Sequence, residues 1–175
     1  MLAEEFLSLP QVPIPVLAVR LLGAVLLCGM IGYERESNRH AAGLRTHILV
    51  GLAACLYALI TAEIVAGAEG ALTRVDPLRI VEAVTGGVAF LAAGMIVFHN
   101  GQVRGLTTGA GMWLAAAVGL CAGLGLWVMA VAATVLSLCV MALLVPLEVR
   151  MAPRGTAKEV ARLRQGTEKE EEDAG

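Results

Sequence analysis

Five apolar stretches, each about twenty residues long, follow one another at 15–33, 46–66, 78–98, 106–124 and 126–147. About 20 residues of helix are needed to cross the hydrocarbon core of a bilayer. Backbone amides that enter the core must be satisfied within a helix or a closed barrel. Runs of this length and number restrict the chain to a bundle of membrane helices. With 58% hydrophobic and 16% charged residues and a mean hydropathy of +0.77, it is too apolar for a soluble domain of this size. The sequence predicts an all-α membrane protein of five transmembrane helices. A short extracytoplasmic lead (1–14) precedes the membrane domain (15–147), and a cytoplasmic, partly disordered tail (148–175) follows it.

Basic residues set the orientation, because Lys and Arg are retained on the cytoplasmic side. With the N-terminus outside, ten fall on that side: Arg35, Arg39, Arg45, Arg104, Arg150, Arg154, Lys158, Arg162, Arg164 and Lys169. Only Arg74 and Arg79 fall in the outer loop, and Arg20 lies within the first helix. The first nineteen residues contain no Lys or Arg, so no cleaved signal peptide is expected. In the tail, Thr156 and Glu159 have the spacing of a capping box for a short helix through Arg164. The charged run Glu168–Asp173 reads as disordered. Cys28, Cys55, Cys121 and Cys139 each sit in an apolar segment without CxxC spacing, as buried small apolar residues do.

The fourth stretch looks central. Gly111, Ala115, Gly119 and Gly123 recur every fourth residue and form one strip on a helix, which lets another backbone approach closely in lipid. The third stretch places Glu82, Gly86, Ala89 and Ala93 on one face, predicted to form a closely packed seam. A faint internal repeat aligns Gly43-Leu44-Arg45-Thr46 with Gly105-Leu106-Thr107-Thr108. It suggests a repeated helical hairpin plus one further helix.

Polar character concentrates in Gly32–His47 and His99–Thr108. Each stretch ends with Arg and Thr at a helix start, where free N–H groups and the helix dipole favour negative charge. Arg45 with Thr46, and Arg104 with Thr107 and Thr108, can hold a phosphate or lipid headgroup there. Alternatively, the threonines cap helices while the arginines fix topology or pair with Glu34 and Glu36. His40, His47 and His99 have no metal-site spacing and read as solvated or capping. Near the outer helix ends, Arg20, Glu63, Arg79 and Glu82 form either an ion-pair cluster or an ion pathway. Glu63 and Glu82 alone make a thin Mg²⁺ site, since that ion wants octahedral oxygen ligands. No catalytic constellation stands out, which argues against an enzyme.

The ordered motifs Gly32-Tyr-Glu-Arg-Glu36, Ala42–His47, Asp76–Ile80, Phe90–Gly94 and Val103–Thr108 with Trp113 resemble the MgtC/SapB family of bacterial inner-membrane proteins. The resemblance covers about Arg20 to Leu147. It implies five transmembrane helices with the N-terminus outside, and an association with growth in low magnesium and survival inside macrophages. It also implies regulation of membrane proteins, including the ATP synthase, more than magnesium pumping. By motif match, the positions expected to matter are Glu34, Arg35, Gly43, Arg45, Thr46, Asp76, Arg79, Gly94, Arg104, Gly105, Thr107, Thr108 and Trp113, and the residue-level reading adds Glu82. The chain departs from the family pattern at Ala89 and Ala92, which replace glycines, and at Glu82. It resembles a short form without the soluble C-terminal domain of many members.

These features predict a non-enzymatic inner-membrane protein that modulates magnesium or ion homeostasis, or membrane energetics, through contacts with other membrane proteins. A small oligomeric transporter or channel for Mg²⁺ or another ion is the first alternative. Sensing of anionic lipid or phosphate at the cytoplasmic helix starts is the second. Expected partners are the bilayer and a second copy or another inner-membrane protein; no nucleic acid, metal or cofactor is expected.

Overall fold

A computed structural model of the chain describes residues 10–67, 76, 78–99 and 102–151. The helix expected from Thr156, the charged run at 168–173, most of the lead and Arg74 lie outside these residues. The described residues form five helices: α1 (Ile14–Ser37), α2 (Leu44–Gly67), α3 (Leu78–Met95), α4 (Leu106–Gly123) and α5 (Trp127–Met151). Two short strands, β1 (Val97–His99) and β2 (Gln102–Arg104), lie between α3 and α4. Helices α1 to α4 are long and apolar enough to cross a membrane, and α5 carries a shorter apolar run, Trp127–Leu143. Two compact units divide between Leu138 and Cys139. The described part of the second is helical.

The strands correct the predicted third stretch, which ended at Phe98. Helix α3 stops at Met95, and β1 pairs antiparallel with β2 in the register Val97↔Arg104, Phe98↔Val103 and His99↔Gln102. The signal was present in the sequence. Apolar Val97-Phe98 and Val103 flank Asn100-Gly101, and Asn-Gly between such runs favours a two-residue hairpin.

Contacts at both ends make α1 and α2 antiparallel. At one end the backbone N–H of Leu44 donates to Glu36 Oε2 at 2.9 Å. At the other, the N–H groups of Gln11 and Val12 donate to the two Glu63 carboxylate oxygens, each at 2.8 Å. Helix α4 runs parallel to α2, with Gly111 against His47, Gly119 against Gly51 and Gly123 against Cys55. Helix α3 returns antiparallel, with Ala92 against Gly109 and Met95 against Gly105. The α1–α2 and α3–α4 pairs have unlike connectors, an irregular turn and a β-hairpin.

Helix α4 is the hub. Of its apolar window 61% is buried, against 17–28% for the windows of α1 to α3. The strip Gly111, Ala115, Gly119 and Gly123 is buried throughout. A Cβ at Gly119 would overlap the Gly51 carbonyl oxygen, and one at Gly123 would stand 2.5 Å from the Cys55 oxygen. Cys28 closes the same seam from α1, its thiol donating to the Ala115 carbonyl at 3.3 Å. Cys28 and Cys55 are buried, whereas Cys139 is exposed, so the expectation of four buried cysteines fails there.

A Schellman motif ends α4. Gly125, at φ +77°, donates to the Ala122 carbonyl and Leu126 to that of Cys121, at 3.0 and 2.8 Å. Trp127 then opens α5, its indole packed so closely over Gly23 of α1 that a Cβ there would lie 2.5 Å from the ring.

Helix α3 packs with a different face from the predicted one. Val84, Val88 and Ala92 are its buried residues, and they join Met112, Ala116 and Leu120 of α4 in one apolar cluster. Glu82, Gly86, Ala89 and Ala93 point away from that cluster and are exposed, and nothing lies within 4 Å of a Cβ built at Gly86. The small residues on that face mark a surface that the described residues leave uncovered; the intrachain seam uses Val84, Val88 and Ala92.

Candidate functional site

Three chain segments converge at the end of the bundle that carries the hairpin: the C-terminus of α1, the start of α2 and the first turns of α4. Another Schellman motif brings α1 to a stop. Arg39, at φ +56°, donates to the Glu36 carbonyl, and His40 donates to that of Arg35. The turn carries the chain back so that Glu36 reaches the first amide of α2. Glu36 also packs so tightly against Gly43 that a Cβ there would overlap its carboxylate. This bond corrects two expectations. The anion seat at the start of α2 is taken by the chain's own carboxylate, and Thr46 lies inside the helix, not at its cap.

Behind this turn sits a buried polar cluster. Arg35 is 2% exposed and its Nε donates to Glu34 Oε2. Asn38 Nδ2 donates to the other Glu34 oxygen at 2.8 Å, so the carboxylate is engaged on both sides. His47, 0% exposed, lies next to the Arg35–Glu34 pair. Its Nδ1 donates to the Gly43 carbonyl at 2.9 Å. In the neutral ring that bond puts the proton on Nδ1 and leaves a bare lone pair on Nε2, which is buried and has no partner among the described residues. A Cβ at Gly111 would stand 3.1 Å from that nitrogen. Thr108 of α4 is also buried.

Sequence reasoning placed His47 in a solvated loop or at a cap, and the structure places it in the packed interior. The available signal was the register. His47 is one turn into an apolar run and faces Gly32 of α1 and Gly111 of α4. A Cβ at Gly32 would lie 2.8 Å from Leu44 Cα and 2.9 Å from His47 Cβ. Only glycine leaves room for the ring between the helices.

Removing Arg35 would strip the engaged Glu34 carboxylate of its counter-charge. Arg35→Ala is expected to cost about 3 kcal/mol, the low end for breaking a buried pair, because Glu34 is partly solvated. Thermal unfolding in detergent tests it. A melting point unchanged from wild type would mean that Asn38 alone satisfies Glu34.

Around this cluster lie the exposed candidates Arg45, Arg104 and Thr107, with Trp113 half exposed nearly two turns further along α4. The N-cap of α4 is Gly105 at φ +90°, with no side-chain capping bond. The threonines of that start therefore do not cap it. Its first amides, unlike the Leu44 amide of α2, have no side-chain partner among the described residues.

Asp76, Arg79 and Glu82 lie at the opposite end, away from this cluster, and Gly94 lies near the end of α3 with nothing within 4 Å of a built Cβ. The predicted grouping of Arg20, Glu63, Arg79 and Glu82 does not form among the described residues. Glu63 clasps the two amides before α1. Arg20 Nη1 donates to the Gly123 carbonyl at 2.8 Å, a group the end of α4 leaves open. Asp76 accepts from the Leu78 amide at 3.0 Å. Glu82 stays on the uncovered face of α3. Each engaged group holds backbone, and among the described residues these side chains form no ion pair with one another. Among the described residues no three His, Cys, Asp or Glu side chains group as a metal site would require.

The chain matches the model of the MgtC family over residues 21–150. It is 40% identical over 135 residues to Protein MgtC of Brucella abortus (strain 2308), covering 77% of this chain and 54% of that one. It is 34% identical over 142 residues to Protein MgtC of Salmonella typhimurium (strain 14028s / SGSC 2262), covering 81% and 55%. It is also 35% identical over 127 residues to YhiD of Escherichia coli (strain K12), provisionally named a magnesium transporter, covering 70% and 58%. The chain thus spans just over half the length of these curated relatives. No solved structure matches it.

Proposed function

Because the chain belongs to the MgtC family, we propose that this membrane protein modulates magnesium or ion homeostasis from the bacterial inner membrane, by contact with other membrane proteins and without enzymatic chemistry. The N-terminus faces outward and the α1–α2–α4 cluster faces the cytoplasm, as the distribution of basic residues favours. The observation that carries this reading is the α2–α4 seam. Backbone meets backbone there at Gly119–Gly51 and Gly123–Cys55, which leaves no lumen between the two helices for a hydrated ion. A cation sheds its water only for several well-placed oxygens, and the two intramembrane carboxylates of the described helices stand apart on α2 and α3. At the end that carries the buried Arg35–His47 cluster, the exposed side chains of Arg45, Arg104 and Thr107 are accessible to a partner.

The test is Mg²⁺ entry into liposomes holding the purified chain and an entrapped fluorescent indicator, with Glu82→Gln alongside. No uptake above empty liposomes is expected from folded protein. Uptake that Glu82→Gln abolishes would make the chain a transporter, the reading that the name of the YhiD relative favours. One observation supports a second role at the same end: the uncapped start of α4, with Arg104 and Thr107 exposed beside it, offers a seat for a phosphate or an anionic headgroup.

A further inference from the structure

Helices α2 and α3 pack on each other far less closely than either packs on α4. Both pack on α4, but between them lies a cleft of about 1030 Å³. Its walls are mostly apolar: Val50, Ala54 and Ile64 of α2 face Ile80, Gly87 and Leu91 of α3. Of the polar groups of the lining, Thr61, Asp76 and Arg79 fall towards the end where α2 finishes and α3 begins, and Tyr57 lies near the middle of α2. The Thr61 hydroxyl is already donated to the Tyr57 carbonyl at 3.0 Å, and one Asp76 oxygen is held by the Leu78 amide. Among the described residues the Arg79 guanidinium is left as the cation at the mouth.

We propose that this cleft is a phospholipid site, with the acyl chains lying along the apolar wall between α2 and α3 and the headgroup phosphate held by Arg79. A mostly apolar cleft of this size with a few polar groups at one end suits a small amphiphile. In a membrane such a space is filled, since an empty one forfeits the dispersion contacts of its whole lining. An acyl chain meets the depth and polarity of the walls. The mouth selects for phosphate, because a guanidinium donates several hydrogen bonds in a planar fork that matches phosphate oxygens. The second Asp76 oxygen, without a partner among the described residues, belongs to the same lining, where an ethanolamine ammonium would complete the charge pattern. The site is at the opposite end of the bundle from the α1–α2–α4 cluster and does not depend on the regulatory role.

Gly87 provides the test. It lines the cleft, and nothing stands within 4 Å of a Cβ built there. Gly87→Leu therefore fills the space without touching the fold, and the exchange favours the helix. The full chain, delipidated in dodecyl maltoside, would be mixed with dioleoyl phosphatidylethanolamine or dioleoyl phosphatidylglycerol and examined by native mass spectrometry. One phospholipid per chain is expected on the wild type, and none on Gly87→Leu at an unchanged melting point. Arg79→Gln is expected to weaken retention about tenfold, the worth of one charged hydrogen bond. Preference for phosphatidylethanolamine would add Asp76 to the site, and equal retention of both lipids would assign selection to the phosphate alone. Retention that neither substitution alters would mean a non-specific lipid coat. A wild-type dimer without bound lipid would mean that a second copy fills the cleft. Either result overturns the proposal.

Discussion

Gly119→Ala is expected to break the bundle at its centre. The added methyl would overlap the Gly51 carbonyl oxygen and stand 2.8 Å from the Gly51 carbonyl carbon and Cα. These are backbone atoms of α2, so no rotamer change relieves the overlap. The helices must separate. Separation would also loosen Cys28, whose sulfur occupies the space a Gly51 side chain would need. Overpacking a well-packed core costs about 1–3 kcal/mol, and a rigid contact belongs at the upper end or beyond. Thermal unfolding in detergent and the yield of monodisperse protein read the loss. Gly86→Ala is the control: nothing lies within 4 Å of its Cβ position, and the exchange should gain up to about 1 kcal/mol of helix propensity. A Gly119→Ala protein as stable as that control would mean that α2 and α4 do not touch along this line.

Gly105→Ala should be nearly as severe for a different reason. Gly105 holds φ +90° at the junction between β2 and α4, a conformation that costs an L-residue roughly 1–2 kcal/mol. A Cβ there would also overlap the Met95 carbonyl oxygen and lie 2.8 Å from its carbon. The hairpin would have to leave the end of α3, and the α4 start would move with it. The combined loss is expected to reach about 3 kcal/mol, with the clash separating this site from an ordinary left-handed position. Replacing Gly105 with D-alanine by semisynthesis restores φ without strain and sends the methyl the other way. Recovery with D-alanine and failure with L-alanine would locate the effect in this backbone turn. Full stability of the L-alanine variant would refute the geometry.

Much of the architecture was legible because it rests on local rules. Apolar runs of membrane length gave five helices, and a recurrence of small residues every fourth position marked α4 as the centre. The reading went astray where two such rules competed. Val97-Phe98 extended the third apolar run, so length won over the Asn-Gly hairpin signal. On α3 both faces carry small residues, Gly86, Ala89 and Ala93 on one side and Ala92 among valines on the other. The small-residue rule alone therefore chose the uncovered face.

The candidate site was half visible. Glu34, Arg35 and Thr108 were singled out from the motifs they belong to, whereas the turn after Ser37 decided which of them the fold buries. His47 was missed because a histidine near a loop is ordinarily solvated, and its burial depends on two glycines in other helices, Gly32 and Gly111. Glu36 was read as a counter-ion for arginine, but the turn delivers it to the amide of Leu44. Glu63 and Arg20 were sorted by charge, yet each bonds backbone from a distant part of the sequence: Gln11 and Val12 for one, Gly123 for the other.

The sequence by itself determined that this chain is a membrane bundle, how many helices it has, and at which loops its polar chemistry collects. Each of these follows from free energies summed along one segment, such as transfer into lipid or the need of every amide for a partner. Only the tertiary structure decided which faces meet, that the α2–α4 seam is closed backbone to backbone, and that α2 and α3 leave a cleft between them. In lipid an apolar helix gains nothing by burying one apolar face in preference to another, so hydrophobic periodicity carries no orientation. The choice falls to steric fit between segments far apart in the chain.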